Sequence, residues 1–367
     1  MLSLLTSAVG IGSNSFLETI RQRLYGLLLG VNLFLLLINP TLANFTLGED
    51  DRQMIEVGLS LILLGGVLVG IFAASRAMSK EVEKKTTLVV LAKPVSRAVF
   101  VLGKFLGVAW AVSVAMLAWS VVFLATVRHG VMEARYMPWD MPIWSIVLPA
   151  ALVSVLLAAA ANFMARRHFL TVLLKVGIPL VGIALLATGP FGKRFEVQAY
   201  SLGFDGSVLA AIALTWMAAV VLTAAALAFS TRLGQVPTLV LTFGLLLGGI
   251  SSDQLLGGRG GLGELAERAV LKMDQQGTGE GVVTTQKAEL MPLGVRPEYR
   301  PAERTETVFA VLYGVLPNFN IFWAGDAVLN AQPVPLSYVL RAGVYALTWV
   351  VVVLALAIAA FQTREIA

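Results

Sequence analysis

What most constrains this chain is the recurrence of apolar runs long enough to cross a bilayer. A helix rises 1.5 Å per residue, so about 18 or more uncharged residues can traverse the hydrocarbon. Runs near that length occupy residues 57–75, 105–127, 142–165, 169–187, 207–230, 236–252 and 342–361; a shorter first run, 24–39, is closed by Pro40. Lys175, in the fifth run, is the one ionisable residue inside them. With 57% hydrophobic and 13% charged residues and a mean hydropathy of +0.82, the fold class is an all-α polytopic membrane protein with about eight transmembrane helices.

Orientation follows from the basic residues, because short cytoplasmic loops are enriched in Lys and Arg. Placing the N-terminus inside puts Arg21, Arg23, Arg76, Lys80, Lys84, Lys85, Lys93, Arg97, Lys104, Arg166, Arg167, Arg232 and Arg364 on the cytoplasmic side. The outer loops keep Arg52, Arg128, Arg135, Lys193 and Arg194, most of them near acidic residues. Both termini are then cytoplasmic, and the segment 76–104 faces the cytosol. The net charge of +5 is explained by these flanking residues, so nucleic acid is set aside as a partner. The first twenty residues lack a basic stretch, an apolar core and a cleavage site in that order, so no removable signal peptide is expected.

Three regions follow. Residues 1–252 form a transmembrane domain with spans 1–7. Residues 253–341 form an extracytoplasmic stretch, punctuated by Gly and Pro and too poor in apolar residues for its own core. Within it, 307–325 is broken by Leu316-Pro317-Asn318 and reads as a re-entrant or surface-lying element. Residues 342–367 are the last span and a cytoplasmic tail. Phe16, Ile20, Leu24 and Leu27 recur at helical spacing, which suits either an interfacial helix or the frayed start of the first span. The Ala-rich ends 158–166 and 224–232 resemble each other, as a duplicated hairpin or as the coincidence expected of small residues in membrane helices.

Several chemistries find no support in the sequence. Zero cysteines exclude thiol catalysis and Cys-ligated metals, and two histidines, His129 and His168, leave little for a His-based site. Both sit at span ends, where interface anchoring accounts for them. No catalytic, cofactor-binding or metal-binding constellation is expected, and the chain is read as a non-enzyme. No G-x-x-x-x-G-K-[ST] occurs, so ATP is not bound by a P-loop of this chain. No Asp or Glu lies inside the apolar runs, where a charge costs about 2.5–3.5 kcal/mol on insertion scales, and that argues against an ion-driven carrier. Lys175 either snorkels to the interface or touches a substrate path.

The segment 76–104 is the most charged short stretch between long apolar runs. Residues 77–92 have high helix propensity, with Glu81 and Lys85 at i,i+4. Leu88 and Leu91 give an apolar side; Lys80, Glu83, Lys84, Thr86 and Thr87 are polar. Lys93-Pro94 stops the helix, because proline disfavours helical geometry in the residue before it. Ser96 then caps the next helix, through Arg97. Such a bent helix can lie under the membrane and meet a soluble partner; an ordinary basic loop that only fixes topology fits the same pattern.

Glu81, Thr86-Thr87-Leu88, Leu91-Ala92-Lys93-Pro94-Val95-Ser96-Arg97 and Leu102-Gly103-Lys104-Phe105-Leu106-Gly107 resemble the segment after the second span of ABC-2-type transporter permeases. Leu316-Pro317-Asn318-Phe319-Asn320-Ile321-Phe322 and Pro333-Val334-Pro335-Leu336-Ser337-Tyr338 resemble the subgroup with nitrous-oxide-reductase-maturation and gliding-motility-type permeases. Phe229-Ser230-Thr231-Arg232 is a weaker third match. The resemblance implies a permease subunit of an exporter in a bacterial cytoplasmic membrane. It would dimerise with a second copy or a related permease and couple to a separate cytosolic ATP-binding cassette ATPase, which would hold ATP and Mg. On the same grounds Lys80, Glu81, Glu83, Lys84, Lys85, Thr86, Thr87, Leu88, Leu91, Lys93, Pro94, Ser96 and Arg97 would form the coupling surface. The family has six spans, so a surplus hairpin is expected at 142–187. The competing readings are an ion-coupled secondary carrier and a membrane scaffold for an extracytoplasmic complex.

Overall fold

The computed structural model describes residues 2–42, 50–83, 96–131, 139–252, 316–330 and 332–362. The helices are α1 (Leu2–Ile20), α2 (Arg23–Leu42), α3 (Asp50–Glu83), α4 (Arg97–His129), α5 (Leu148–Ala165), α6 (Phe169–Val172), α7 (Ile178–Thr188), α8 (Tyr200–Gly203), α9 (Gly206–Ser230), α10 (Gln235–Ile250), α11 (Gly325–Leu329) and α12 (Leu336–Gln362). Among the described residues seven helices are long and apolar enough to cross a membrane: α2, α3, α4, Ile143–Ala165, Phe169–Thr188, α9 and α12. The eighth expected span is α10, which is apolar but only 16 residues long. The N-terminal expectation also changes. Two helices meet at Arg21 and Gln22, and α1 begins far upstream of the periodic residues from which a helix over 16–30 is predicted.

The chain divides into two compact units, Met1–Phe243 with Ile321–Ala367, and Gly244–Asn320. In the smaller unit Asn320 Nδ2 donates to the Ile250 carbonyl at 2.8 Å, and a Cβ on Gly249 would overlap the Phe319 ring. The larger unit is built around α4. Its buried stripe of Val101, Val108, Ala111, Ala115, Trp119 and Phe123 runs the length of the helix. At 33 residues it is about 50 Å long, more than a hydrocarbon core requires.

Glycines let neighbouring helices approach α4 and one another. A Cβ on Gly103 would lie 2.9 Å from the Ala8 carbonyl, and one on Gly107 would lie 2.6 Å from Ser15 Cβ, so the backbone of α1 packs directly on α4. Gly66 and Gly70 do the same for α3 against α9, facing Ala219 and Thr223. Such spacing of small residues brings dispersion contacts to the backbone, the main attraction between helices in lipid. Side chains then fix the register. Tyr25 donates its hydroxyl to the Ala111 carbonyl at 2.9 Å. The Trp119 indole donates to the Leu29 carbonyl at 3.1 Å, and the Trp216 indole to Ser113 Oγ at 2.8 Å. Helix α9 is apolar on all sides, as befits a helix surrounded by others. Its buried Thr215 and Thr223 hydroxyls donate back to Ala211 and Ala219, which satisfies them without a neighbour.

The expected surplus hairpin is present and peripheral. Its two legs bury 17% and 22% of their apolar windows, against 67% and 61% for α3 and α9. Each leg contains one widened π turn, Ile143–Val147 and Leu173–Gly177, followed closely by a proline, Pro149 or Pro179. Proline supplies no N–H and its ring crowds the carbonyl four residues back, so an i→i+5 turn relieves the clash. The two Ala-rich ends differ in their turns: Arg166 follows α5 with a left-handed φ of 50°, whereas Thr231 after α9 stays right-handed. That difference supports coincidence over duplication.

Filling the glycine contacts should cost about 1–3 kcal/mol each, the usual range for overpacking. Gly107→Val and Gly70→Val should therefore lower the thermal midpoint of the purified protein. Gly30→Ala should not, since nothing lies within 4 Å of a Cβ there. A Gly107→Val protein as stable as the parent would show that α1 is not seated on α4.

Candidate functional site

Of the expected coupling residues, Lys80, Glu81 and Glu83 lie at the end of α3, and Ser96 and Arg97 at the start of α4. Lys84, Lys85, Thr86, Thr87, Leu88, Leu91, Lys93 and Pro94 lie outside the described residues. Lys80, Glu81 and Glu83 belong to the last turns of α3, with their side chains outside the description. Residues 77–83 thus continue the second span, where the sequence predicts the start of a separate surface helix. The run from Ile71 to Glu83 holds no glycine or proline, and good helix formers such as Ala77, Met78, Lys80 and Glu81 carry the helix onward.

Ser96 and Arg97 stand where the chain re-enters the bundle. Ser96 is extended, with φ −64° and ψ 146°, and its Oγ accepts from the Val99 N–H at 3.3 Å, the predicted cap of α4. Arg97 reaches another helix altogether. Its Nη1 donates to the Gln362 carbonyl at 2.7 Å and to the Phe361 carbonyl at 3.5 Å. Arg232, just beyond α9, donates through Nε to the Ala360 carbonyl at 3.0 Å. Two guanidinium groups from two helices thereby satisfy the orphan carbonyls at the end of α12 and oppose its negative dipole end.

An aromatic contact underlies these bonds. Phe100 stacks on Phe361 with centroids 5.9 Å apart and planes 18° apart. Lys104 Nζ stands 5.5 Å from the Phe100 centroid. Lys104 is only 5% exposed, so its charge meets the ring face under low hydration, where cation–π attraction is strongest. The first turns of α4 and the last turns of α9 and α12 form one knot immediately after residues 84–95. Through Arg97 and Arg232 the knot ties α4 and the end of α9 to α12, which no covalent linkage nearby joins to α4.

Lys175 is placed elsewhere. It lies exposed on the second π turn in the hairpin, away from the buried face of the bundle. Snorkelling accommodates that position. Sequence reasoning missed Lys104 as a buried cation, because it stands at the boundary between flank and span. It also missed the ion pair at the opposite end of α4, where Arg128 Nε meets Asp140 Oδ2 at 3.2 Å with exposures of 6% and 1%. An arginine beside an acidic loop was the sole signal for it. His129 lies beside it: Trp144 Nε1 donates to its Nε2 at 3.1 Å, and its Nδ1 is 3.2 Å from the Gly130 carbonyl. Among the described residues no three His, Asp or Glu side chains come together as a metal site.

Comparison of the chain with protein-family models and with curated proteins finds no match. The helical architecture is compatible with a membrane transport subunit, and that is as far as the fold itself reaches.

If the Arg97 bonds hold the end of α12, Arg97→Gln should expose it. A hydrogen bond to a charged group is worth about 1.5–3 kcal/mol, so amide exchange over residues 358–362 should quicken roughly tenfold or more. Arg97→Lys should give an intermediate rate. Unchanged exchange in Arg97→Gln would mean that the knot does not form in solution.

Proposed function

We propose that this chain is the transmembrane permease subunit of an ABC-2-type ATP-binding cassette exporter, driven by a separate cytosolic ATPase. The observation that carries the reading is the knot at Arg97. The part of segment 76–104 that resembles the coupling surface of ABC-2-type permeases ends at Ser96 and Arg97, and Arg97 reaches the carbonyls that end α12. The segment also begins at the end of α3, which packs along α9 through Gly66 and Gly70. A force on residues 84–95 therefore enters the bundle through both α3 and α4, and the Arg97 and Arg232 bonds distribute it to α9 and α12.

In this reading the Arg97 end is cytoplasmic, ATP and Mg are held by the partner, and this chain catalyses nothing itself. Lys80, Glu81, Glu83, Lys84 and Lys85 offer both charge signs to the ATPase, and Pro94 disfavours helical geometry in the residue before it. A second permease completes the assembly. The peripheral hairpin of α5 to α7 is additional to the six-span plan, which α2, α3, α4, α9 and α12 would supply together with the 16-residue α10. The absence of a P-loop from the sequence and of carboxylates from the apolar runs favours an external energy source over an ion-coupled carrier.

Affinity capture of the chain from its native membrane should bring down a protein with a Walker A motif and no spans of its own. Reversing the charges of Glu81, Lys84 and Lys85 together with Pro94→Ala should cut that recovery at least tenfold while the thermal midpoint stays within a few degrees. Undiminished recovery would dismiss the proposed surface. Transport that persists without any such partner but stops when the ion gradient is collapsed would favour the secondary carrier instead.

A further inference from the structure

At the end of the bundle opposite Arg97, a cavity of about 300 Å³ opens between the last turn of α4, Asp140 at the start of the hairpin, residues 192–198 and the segment entering α9. Leu124, Val127 and Val208 give it apolar walls, and Arg128, Lys193 and Asp205 bring charge to it. The Arg128 side chain is 6% exposed, and three of its contacts are fixed. Nε donates to Asp140 Oδ2 at 3.2 Å, Nη2 donates to the Phe191 carbonyl at 2.6 Å, and the guanidinium carbon lies 5.8 Å from the Phe204 ring centroid.

The remaining nitrogen, Nη1, is buried and has no hydrogen-bond partner. A buried guanidinium N–H without an acceptor is rare, and a water or an anion in the adjoining cavity would supply one. Asp140 cannot turn to supply it, because its other oxygen accepts from the Ile143 N–H at 3.1 Å. Gly203 also lines the cavity; a Cβ there would meet the Gly189 carbonyl oxygen at 2.6 Å first and would stand 3.2 Å from Nη1, so its glycine is required by the Gly189 backbone as well. Lys193 adds a second cation, its Nζ placed by a 3.1 Å bond to the His129 carbonyl. The Asp205 carboxylate is committed in part to α9, accepting from the Ser207 N–H at 2.8 Å.

We propose that this cavity binds a phosphate group at the membrane surface, held by Arg128 Nη1 with Lys193 as the second cation. The phosphate belongs either to a lipid headgroup or to a free phosphate. A planar carboxylate pairs best with two parallel N–H groups on one guanidinium edge. Both edges of Arg128 include a nitrogen already engaged, so a single N–H and an ammonium from another element suit a tetrahedral group approached from two directions. The apolar walls exclude water and so strengthen the attraction, and the volume matches a headgroup and excludes a whole lipid. This inference stands apart from the transport reading, since it needs no ATPase.

The test uses the full chain, delipidated in detergent, with its thermal midpoint followed during titration with inorganic phosphate and, separately, with short-chain phosphatidylglycerol. A saturable rise with either supports the site; a rise with the lipid alone identifies a headgroup, and a rise with inorganic phosphate identifies the free ion as sufficient. Arg128→Lys and Lys193→Gln should each weaken the response at least tenfold, measured as the rise above each variant's own unliganded midpoint, which the lost Phe191 and His129 carbonyl bonds lower. Should Arg128→Lys fail to fold, Lys193→Gln decides, because its side chain lies at the cavity rim outside the buried ion pair. No rise with either ligand, or a full response in the variants, overturns the proposal.

Discussion

Helix α4 can be enclosed only because its neighbours come close to its backbone, and glycines permit that approach. Lipid offers side chains an environment as apolar as a protein core, so helices gain little by burying leucine against leucine. What remains is the density of contact. Gly103 and Gly107 bring the backbone of α1 onto α4, and Gly66 and Gly70 bring α3 onto α9. Once these distances are set, Tyr25, Trp119 and Trp216 can each reach an acceptor on a neighbouring helix. A methyl group at Gly103 or Gly107 would meet the backbone of α1, and one at Gly70 would meet Thr223 on α9, so those two contacts would have to widen; the Tyr25, Trp119 and Trp216 bonds fix the separate contacts of α2 and α9 with α4.

The same spine separates two chemically different ends. At one end guanidinium groups from Arg97 and Arg232 close the carbonyl end of α12, and Phe100, Phe361 and Lys104 seal the contact from below. At the other end Arg128 is held by Asp140 and by the Phe191 carbonyl, with one nitrogen left over. Both clusters use arginine because its planar fork can serve two acceptors at once, which lysine's single ammonium does less rigidly. The hairpin between α4 and α9 has a different character: little of it is covered, and each leg is widened beside a proline.

Long charge-free runs made the spans legible, and Ser96 was legible as a cap because a hydroxyl before a helix has few other uses. The peripheral hairpin was also foreseen. Three features were not. Helix α1 carries Ser, Gly and Asn among its apolar residues, so it shows neither a membrane-length run nor a clean amphipathic face; it is stabilised by tertiary contact with Gly103 and Gly107. Arg97 was read as a cytoplasmic charge and as part of the coupling surface; its bonds to α12 were not foreseen, since those partners lie more than 260 residues away. Arg128 and Asp140 looked like loop residues, and only the fold buries them together. The spacings Gly66-x-x-x-Gly70 and Gly103-x-x-x-Gly107 were a sign of close packing, but Gly26-x-x-x-Gly30 and Gly244-x-x-x-Gly248 share that spacing, and a Cβ at Gly30, Gly244 or Gly248 meets nothing within 4 Å.

The account stands on α4 crossing the membrane with its Arg97 end in the cytoplasm and its Arg128 cavity on the far side. Because the chain has no cysteine, single cysteines can report this without background. Cysteine replacing Arg166, which shares the Arg97 end, and cysteine replacing Gln198, which lines the cavity, should be probed with a membrane-impermeant maleimide in intact cells and in permeabilised ones. The account predicts labelling at 198 in intact cells and at 166 only after permeabilisation. The reverse pattern, or equal labelling of both positions in intact cells, would contradict it.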